Sequence, residues 1–322
     1  LRFSPTQVRA VGEKFAPGMT RLGLSFLAAF ATLTLPAAER DPAKGIVFCA
    51  YNVRNYVGDD QVAPADQRAK PKSDAEKQRL VEILSEVNPD ILGVSEMGSE
   101  KMFADFKERL AKAGLVYPQS EYLQAGDPDR HVVLLSRFPI VDRHSEKRVL
   151  FTLDGQETEM KRGILDVTIQ VTPNYQLRCV GVHLKSKLPT PSGEGLLRRH
   201  EAAKLREHLD AVLKETPEAN VICYGDCNDT KDQPMFAEIT GVKGSPGFMA
   251  DLGAKDALGD RWTHYWKLAD QYSRIDYLFV SPGLSPEVKR ESASVFRGPD
   301  WYEASDHRPV YVTIVPQEKE RR

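Results

Sequence analysis

Short apolar runs recur along this chain, and most of them end in a polar cluster. Gly45 to Val53 has the continuous apolar character of a buried strand. Ser73 to Val87 reads as a helix that opens on a Ser73…Glu76 capping box and closes near Asn88-Pro89. Asp90 to Ser95 is then a strand delivering Glu96, and Glu100 to Ala113 a second helix. The same patterns predict strands at Val132 to Ser136, Gly163 to Val171 and Leu177 to Leu184, then a helix over Leu196 to Lys214. Strands at Asn220 to Gly225, Arg274 to Ser281 and Pro309 to Ile314 complete the series. This is a mixed α/β domain with too many strands for one small sheet. Two connections, Val57 to Lys72 and Leu188 to Gly195, are long or rich in Pro and Gly; such loops flank substrates, though plain surface disorder explains the first equally well.

The polar clusters sit where the apolar runs stop. They are Tyr51-Asn52-Val53-Arg54-Asn55, Ser95-Glu96, His183-Leu184-Lys185-Ser186-Lys187, Gly225-Asp226-Cys227-Asn228-Asp229 and Ser305-Asp306-His307-Arg308-Pro309, with Ser273-Arg274-Ile275-Asp276-Tyr277 before the last. Residues this far apart can meet at one end of a sheet, a pattern that looks like a metal-dependent phosphoesterase.

A carboxylate at the end of an apolar strand, as Glu96 is, needs solvent, a cation or a hydrogen-bond partner. Asn52 and Asp306 end other strands and add oxygen ligands of the kind Mg²⁺ uses, whereas no Cys/His cluster has zinc spacing. His183, Lys185 and Lys187 alternate, so a strand would present all three on one face, where phosphate would balance them; an edge strand with solvated lysines accounts for the lysines but not for His183. Asp226 and Asn228 on a turn offer a base for water and a neutral donor to a developing oxyanion, or else an Asx turn. Asp276 and His307 supply the carboxylate and imidazole of an oriented pair. Taken singly, Glu96, Asn52 and Asp306 are better explained as cap or turn residues.

The 322 residues, 41% of them hydrophobic, suffice for one large domain and contain no repeat. The N-terminus stands apart. Met19-Thr20-Arg21, the apolar stretch Leu22 to Leu35 and Pro36-Ala37-Ala38 have the layout of a secretory signal peptide, too short for a membrane anchor. Residues 1–18 form an upstream extension, either a long basic lead to the signal or sequence ahead of a true start at Met19, which is the favoured expectation. The expected organisation is thus 1–38 removed and a catalytic domain over 39–322, exported to the periplasm or the medium. Removal takes away four basic residues and one acidic, leaving 40 against 45 and a formal net charge of −5. That excludes bulk basic nucleic-acid binding but not a nuclease, since a local basic groove and a divalent cation capture phosphate on an acidic protein. Cys49, Cys179 and Cys223 lie in apolar runs as small buried hydrophobes, and Cys227 has no base beside it in sequence.

With these residues in view, the chain resembles the endonuclease/exonuclease/phosphatase superfamily of DNase I-like proteins from Ile46 to Val315, in its secreted bacterial branch. Arg130 to Pro139 and His183 to Lys187 carry that last likeness. The resemblance implies a four-layered α/β sandwich, two packed mixed β-sheets flanked by helices, with one Mg²⁺ site at the sheet ends, Mn²⁺ or Ca²⁺ being alternatives. By similarity Glu96, Asn52 and Asp306 hold the metal. Asp226 orients or deprotonates water, Asn228 stabilises the transition state, His183 bonds a phosphate oxygen and the His307–Asp276 pair polarises the phosphate or transfers a proton. Arg54 stands where apurinic endonucleases usually carry an acidic residue and is expected, with Lys185 and Lys187, to bind substrate phosphate. The leading expectation is a phosphodiesterase acting on DNA or RNA as a monomer without an obligate protein partner. A sphingomyelinase-like or other small-phosphoester enzyme is the alternative, which an aromatic-tipped hairpin would favour; Trp262, Tyr265 and Trp266 could supply it, though core or loop packing is the plainer explanation of those rings, and a silent binding module is the third.

Overall fold

Two six-stranded sheets, each hydrophobic on both faces, stack against one another with helices outside. The computed structural model describes residues 41–319; the upstream extension and the signal segment Met19–Ala38 lie outside the described residues. In chain order the elements are β1 (Ile46–Tyr56), α1 (Asp74–Val87), β2 (Ile91–Met97), α2 (Glu100–Lys112), β3 (Gln119–Leu123), β4 (His131–Ser136), β5 (Ile140–Arg143), β6 (Leu150–Leu153), β7 (Gln156–Glu159), β8 (Leu165–Thr172) and β9 (Tyr175–His183). There follow α3 (Glu194–Glu215), β10 (Val221–Asp226), α4 (Pro234–Thr240), β11 (Ala250–Asp251), β12 (His264–Trp266), β13 (Gln271–Ser273), β14 (Asp276–Val280), β15 (Val288–Val295), α5 (Trp301–Ala304) and β16 (Val310–Ile314). The first sheet runs β15-β16-β1-β2-β4-β3 and the second β11-β14-β10-β9-β8-β5, with β6–β7 and β12–β13 as separate hairpins.

Strand periodicity explains the layering. Ile46, Phe48 and Ala50 of β1 face the middle layer with Leu177 and Cys179 of β9 and Ile222 and Tyr224 of β10. Cys49, Tyr51 and Val53 point the other way, into a layer shared with Leu80, Ile83 and Leu84 of α1 and Phe103 and Phe106 of α2. On the far side Val180, Val182, Val221 and Cys223 meet Ala202, Leu205 and Leu209 of α3 and Ile239 of α4. The result is the expected four-layered sandwich. Tyr224 wedges between the sheets, because Gly93 and Gly181 leave it room: a Cβ at either would come within 2.0 and 2.5 Å of its ring and hydroxyl. Its ring meets Phe48 edge-on at 4.9 Å.

The capping box of α1 is present, with Ser73 Oγ accepting from the Glu76 N–H. The four cysteines are free and buried, and burial pushes their thiols up. The expected strand through Lys187 is cut short. β9 ends at His183, one last main-chain bond runs from the Leu184 N–H to the Asp226 carbonyl, and from Lys185 on the main chain is taken by α3: the Lys185 N–H donates to Glu201 Oε2 (2.6 Å), and the Lys185 and Ser186 carbonyls accept from Arg198. Lys185 and Lys187 therefore lie on a loop and do not share a strand face with His183. Among the described residues no helix is long and apolar enough to cross a membrane.

Candidate active site

Strand ends from both sheets meet at one edge of the sandwich. In the second sheet Asp226, the last residue of β10, pairs with His183 at the end of β9 and with Asp276 at the start of antiparallel β14. In the first sheet Asn52 pairs with Ser95, and Glu96 follows. Asp306 and His307 enter just ahead of β16, whose Val310 lies opposite Ala50.

Local backbone distortion aims these side chains. Between Asn52 and Tyr56 the register slips, so that Val53, Arg54 and Asn55 of β1 face the single residue Glu96 of β2. Arg54, Asn55 and Glu96 take left-handed conformations (φ 48°, 51° and 66°), as does Asn228 (φ 53°). Half of the eight non-glycine residues with positive φ among the described residues thus cluster at this edge, the pattern of a bulge that redirects side chains at some cost in strain. Gly225, at φ 142°, lets β10 approach β9 so closely that a Cβ would lie 1.9 Å from the Val182 carbonyl oxygen.

One amide joins the sheets. Asn52 Nδ2 donates to Glu96 Oε1 (3.0 Å) and to Asp226 Oδ2 (2.9 Å), while the Asn55 N–H holds Glu96 Oε2 at 2.8 Å. Asp226 Oδ1 accepts from the Asn228 N–H (2.8 Å), and Asn228 Nδ2 donates to the Leu184 carbonyl (3.0 Å). His183 Nε2 lies 3.6 Å from Asp226 Oδ2 and 3.9 Å from Glu96 Oε1, and its Nδ1 is buried without a hydrogen-bond partner. His307 Nδ1 is bonded to Asp276 Oδ2 at 2.8 Å, leaving Nε2 3.7 Å from Asp226.

Burial and neighbouring charge divide the two imidazoles. Burial, reinforced by the Arg162 charge, pushes His183 down to about 3, so it is neutral. Burial also opposes charge on His307, but Asp276 and Asp226 outweigh it and raise His307 well above the ordinary histidine range. Burial pushes the Asp226 carboxyl up, with Asp276 adding repulsion and His307 opposing. The arrangement holds a cationic imidazole, a neutral one and a buried carboxyl of raised proton affinity around one space.

Glu96, His183 and Asp226 each present a ligand atom within 4.8 Å of the others, as do His264, Asp306 and His307. Two carboxylates of the first group share one neutral Asn52 donor, an oxygen-rich arrangement with negative charge to spare, and it fits a hard divalent cation. Asn52, expected as a ligand, acts here as the donor between carboxylates, and its Oδ1 accepts the Arg54 N–H at 2.9 Å. Asp306 falls in the second group and its Oδ2 lies 3.5 Å from Arg54 Nε. Lys185 Nζ turns to its own loop, to the carbonyls of Ser186 (3.0 Å) and Leu188 (2.9 Å), and Lys187 Nζ sits 3.6 Å from Asp229.

Sequence reasoning missed the supporting residues. Thr263 Oγ1 donates to Asp276 Oδ2 (2.6 Å), and the His264 ring lies 4.6 Å from that of His307. Ser305 Oγ donates to the Asn52 carbonyl, buried Lys72 to the Ala304 carbonyl, and Arg130 Nε to Asn55 Oδ1. Arg198 and Glu201, both 3% exposed, grip the loops after β9 and β10: Arg198 Nε reaches Asp229 Oδ2 at 2.9 Å. These two had a signal, since they occupy the apolar stripe of α3 with Ala202, Leu205 and Leu209. Thr263 and His264 had none.

The family model described as the Endonuclease/Exonuclease/phosphatase family matches residues 49–307, and the chain belongs to that family. No curated protein matches the chain. Among solved structures, an endonuclease/exonuclease/phosphatase from Bacteroides vulgatus is similar at 16% identity and a TM-score of 0.58, over 85% of this chain and 99% of its own. The human Nocturnin catalytic domain is similar at 17% and 0.57, over 85% and 98%. Sphingomyelinase C from Streptomyces griseocarneus is similar at 16% and 0.56, over 84% and 99%. At these identities the structural likeness establishes the fold. Family membership makes the chain a divalent-metal-dependent hydrolase of phosphate esters.

Proposed function

We propose that the protein is an exported Mg²⁺-dependent phosphodiesterase acting on nucleic acid. The observation that carries the hydrolytic part is the Asn52 amide bridging Glu96 of one sheet and Asp226 of the other, with the His307–Asp276 pair beside them. Bound Mg²⁺ at Glu96 would neutralise phosphate charge and orient the ester. Asp226, of raised proton affinity, accepts a proton from the attacking water. Asn228, pinned by the Leu184 carbonyl, is aimed to hydrogen-bond the charge that develops on the phosphoryl oxygens. Neutral His183 contributes a hydrogen bond to a phosphate oxygen, and cationic His307, held by Asp276, supplies charge and a proton. Arg54, half exposed and 3.5 Å from Asp306, is placed to meet a flanking phosphate. Export is supported by the Met19–Ala38 pattern.

The hairpin β12–β13 favours a second reading. Its tip carries Leu268, 92% exposed, and Trp266, 50% exposed, apolar groups suited to a lipid surface and hence to a lipid phosphodiester. The deciding experiment gives the purified protein plasmid DNA, RNA, sphingomyelin vesicles and bis-p-nitrophenyl phosphate, with Mg²⁺ or EDTA, beside an Asp226→Ala, His307→Ala double variant. Metal-dependent nucleic-acid cleavage lost in the variant is the expected result. Activity confined to sphingomyelin moves the assignment to the lipid reading, and folded, Mg²⁺-binding protein silent on every substrate refutes both. Fractionation of expressing cells, with N-terminal sequencing of the product, tests export.

A further inference from the structure

Five aromatic side chains next to the catalytic edge form a closed circuit. Trp262 meets Tyr272 (4.6 Å between centroids), Tyr272 stacks on Tyr265 (4.4 Å), Tyr265 meets Tyr302 edge-on (5.5 Å), Tyr302 meets Trp301 (5.4 Å) and Trp301 returns to Trp262 (5.3 Å). The rings come from the hairpin β12–β13, the residues before it, and α5. Buried Arg308 lies under Trp262 at 3.3 Å, closing the inner side. The outer side is open, with Tyr272 52% exposed and Tyr265, Trp301 and Tyr302 only part-buried.

Two cations stand over one ring of this circuit. The Arg54 guanidinium is 5.8 Å from the Tyr302 centroid and Lys267 Nζ 6.0 Å from it. Arg54 reaches Asp306 in the other direction, and the Tyr265 N–H is bonded to the Asp306 carbonyl at 2.9 Å, so the aromatic face adjoins the catalytic cluster directly. Packing alone does not account for a half-open aromatic circuit flanked by cations. A quaternary ammonium headgroup would enter a cage of this kind but would meet two positive charges already in place. A flat, neutral ring carried on a polyanionic chain satisfies both features: the ring stacks on tyrosine and its phosphates face Arg54 and Lys267.

We propose that this circuit, with Tyr302 at its catalytic side, is a base-stacking subsite for the nucleotide next to the scissile phosphate, and that the substrate is single-stranded nucleic acid. The inference rests on the nucleic-acid reading above. In a duplex the base edges are paired and the faces covered, so a base reaches Tyr302 only from an unpaired strand.

The test is a cycle between protein and substrate. Wild type, Tyr302→Phe and Tyr302→Ala are assayed on a single-stranded oligonucleotide, on the same oligonucleotide with an abasic residue beside the cleaved bond, and on its duplex. Expected are preference for the single strand, a rise of about 10-fold in KM in Tyr302→Ala with kcat within about twofold, and near wild-type behaviour in Tyr302→Phe. Loss of the base and loss of the ring are expected not to add, because each removes the same contact. Additive losses, or a preference for duplex, overturn the subsite while leaving the nuclease assignment standing. Wild type that cleaves sphingomyelin vesicles and no nucleic acid overturns both. Equal loss of activity in Tyr302→Phe and Tyr302→Ala also refutes stacking, since Phe keeps the ring.

Discussion

Replacing Arg198 by Met tests whether the buried grip of α3 positions the catalytic loops. Met matches the length of the stem and removes the guanidinium, which bonds Asp229 Oδ2 (2.9 Å) and the carbonyls of Lys185 (3.2 Å) and Ser186 (3.1 Å). Breaking a buried ion pair from one side costs about 3–5 kcal/mol, and the Lys187 ammonium 3.6 Å from Asp229 places this case at the low end, about 3 kcal/mol. For a domain of this size that is a fall of about 6 °C in melting temperature. The rate responds separately. Asn228 is aimed by the Leu184 carbonyl, the residue just before the gripped pair, and a misplacement of about 1 Å costs on the order of 100-fold. The expected outcome is a kcat lowered at least about 10-fold, a KM within about threefold, and partial recovery in Arg198→Lys. Thermal unfolding and steady-state kinetics on the same preparations read both. A melting temperature within 1 °C of wild type together with an unchanged kcat would refute the argument.

Three further substitutions probe other links. Glu96→Gln removes a carboxylate charge while keeping its shape, and should raise the Mg²⁺ concentration for half-maximal activity more than about 10-fold, with a matching loss of heat in a metal titration. Burial pushes Glu201 up to about 7, against the Lys185 N–H bond, from an ordinary 4.5. The folded protein therefore holds a proton that the unfolded chain releases, and stability should decline by about 3 kcal/mol as pH rises from about 4.5 to about 7. Urea midpoints across that range should lose this component in Glu201→Gln; an unchanged slope contradicts the burial argument. Gly225→Ala drives a Cβ to 1.9 Å from the Val182 carbonyl oxygen, which can move only with its strand, so a loss of about 3 kcal/mol or more in unfolding free energy is expected.

The centre of each sheet was legible in the sequence and the margins were not. β1, β2, β4, β9, β10 and β14 have apolar residues on both faces and announce themselves as runs, while β8 and β16 show as alternation, with Leu165, Val167, Ile169 and Val171 or Val310, Val312 and Ile314 on the buried face. The four edge strands, β3, β5, β11 and β15, were missed, and their residues are partly exposed or charged, as in Ile140–Arg143 and Val288–Val295. Edge strands carry polar sequence to discourage further pairing, and that erases the pattern by which strands are read. The site was legible through its strand-end clusters, since Asn52, Glu96, His183, Asp226, Asp276 and His307 do converge. The lysine alternation after His183 misled because period-two spacing was read as a strand where α3 claims the main chain. Arg198 and Glu201 carry a signal, as charges inside the apolar stripe of α3, but that signal does not name their partners, which lie in the loops after β9 and β10.

The Asn52 amide has one carboxylate partner on each sheet, and this makes the site a gauge of how the two halves of the sandwich sit. Glu96 is carried by a sheet built from residues 46–136 and 288–314, Asp226 by one built from 140–280. Neither half holds the constellation alone. A compact state with both sheets formed but not yet docked would keep its secondary structure and have no turnover. Recovery of activity during refolding therefore times the docking of the sheets, and chain cleaved in the turn between Ser136 and Ile140 would regain function only by reassembly of its fragments.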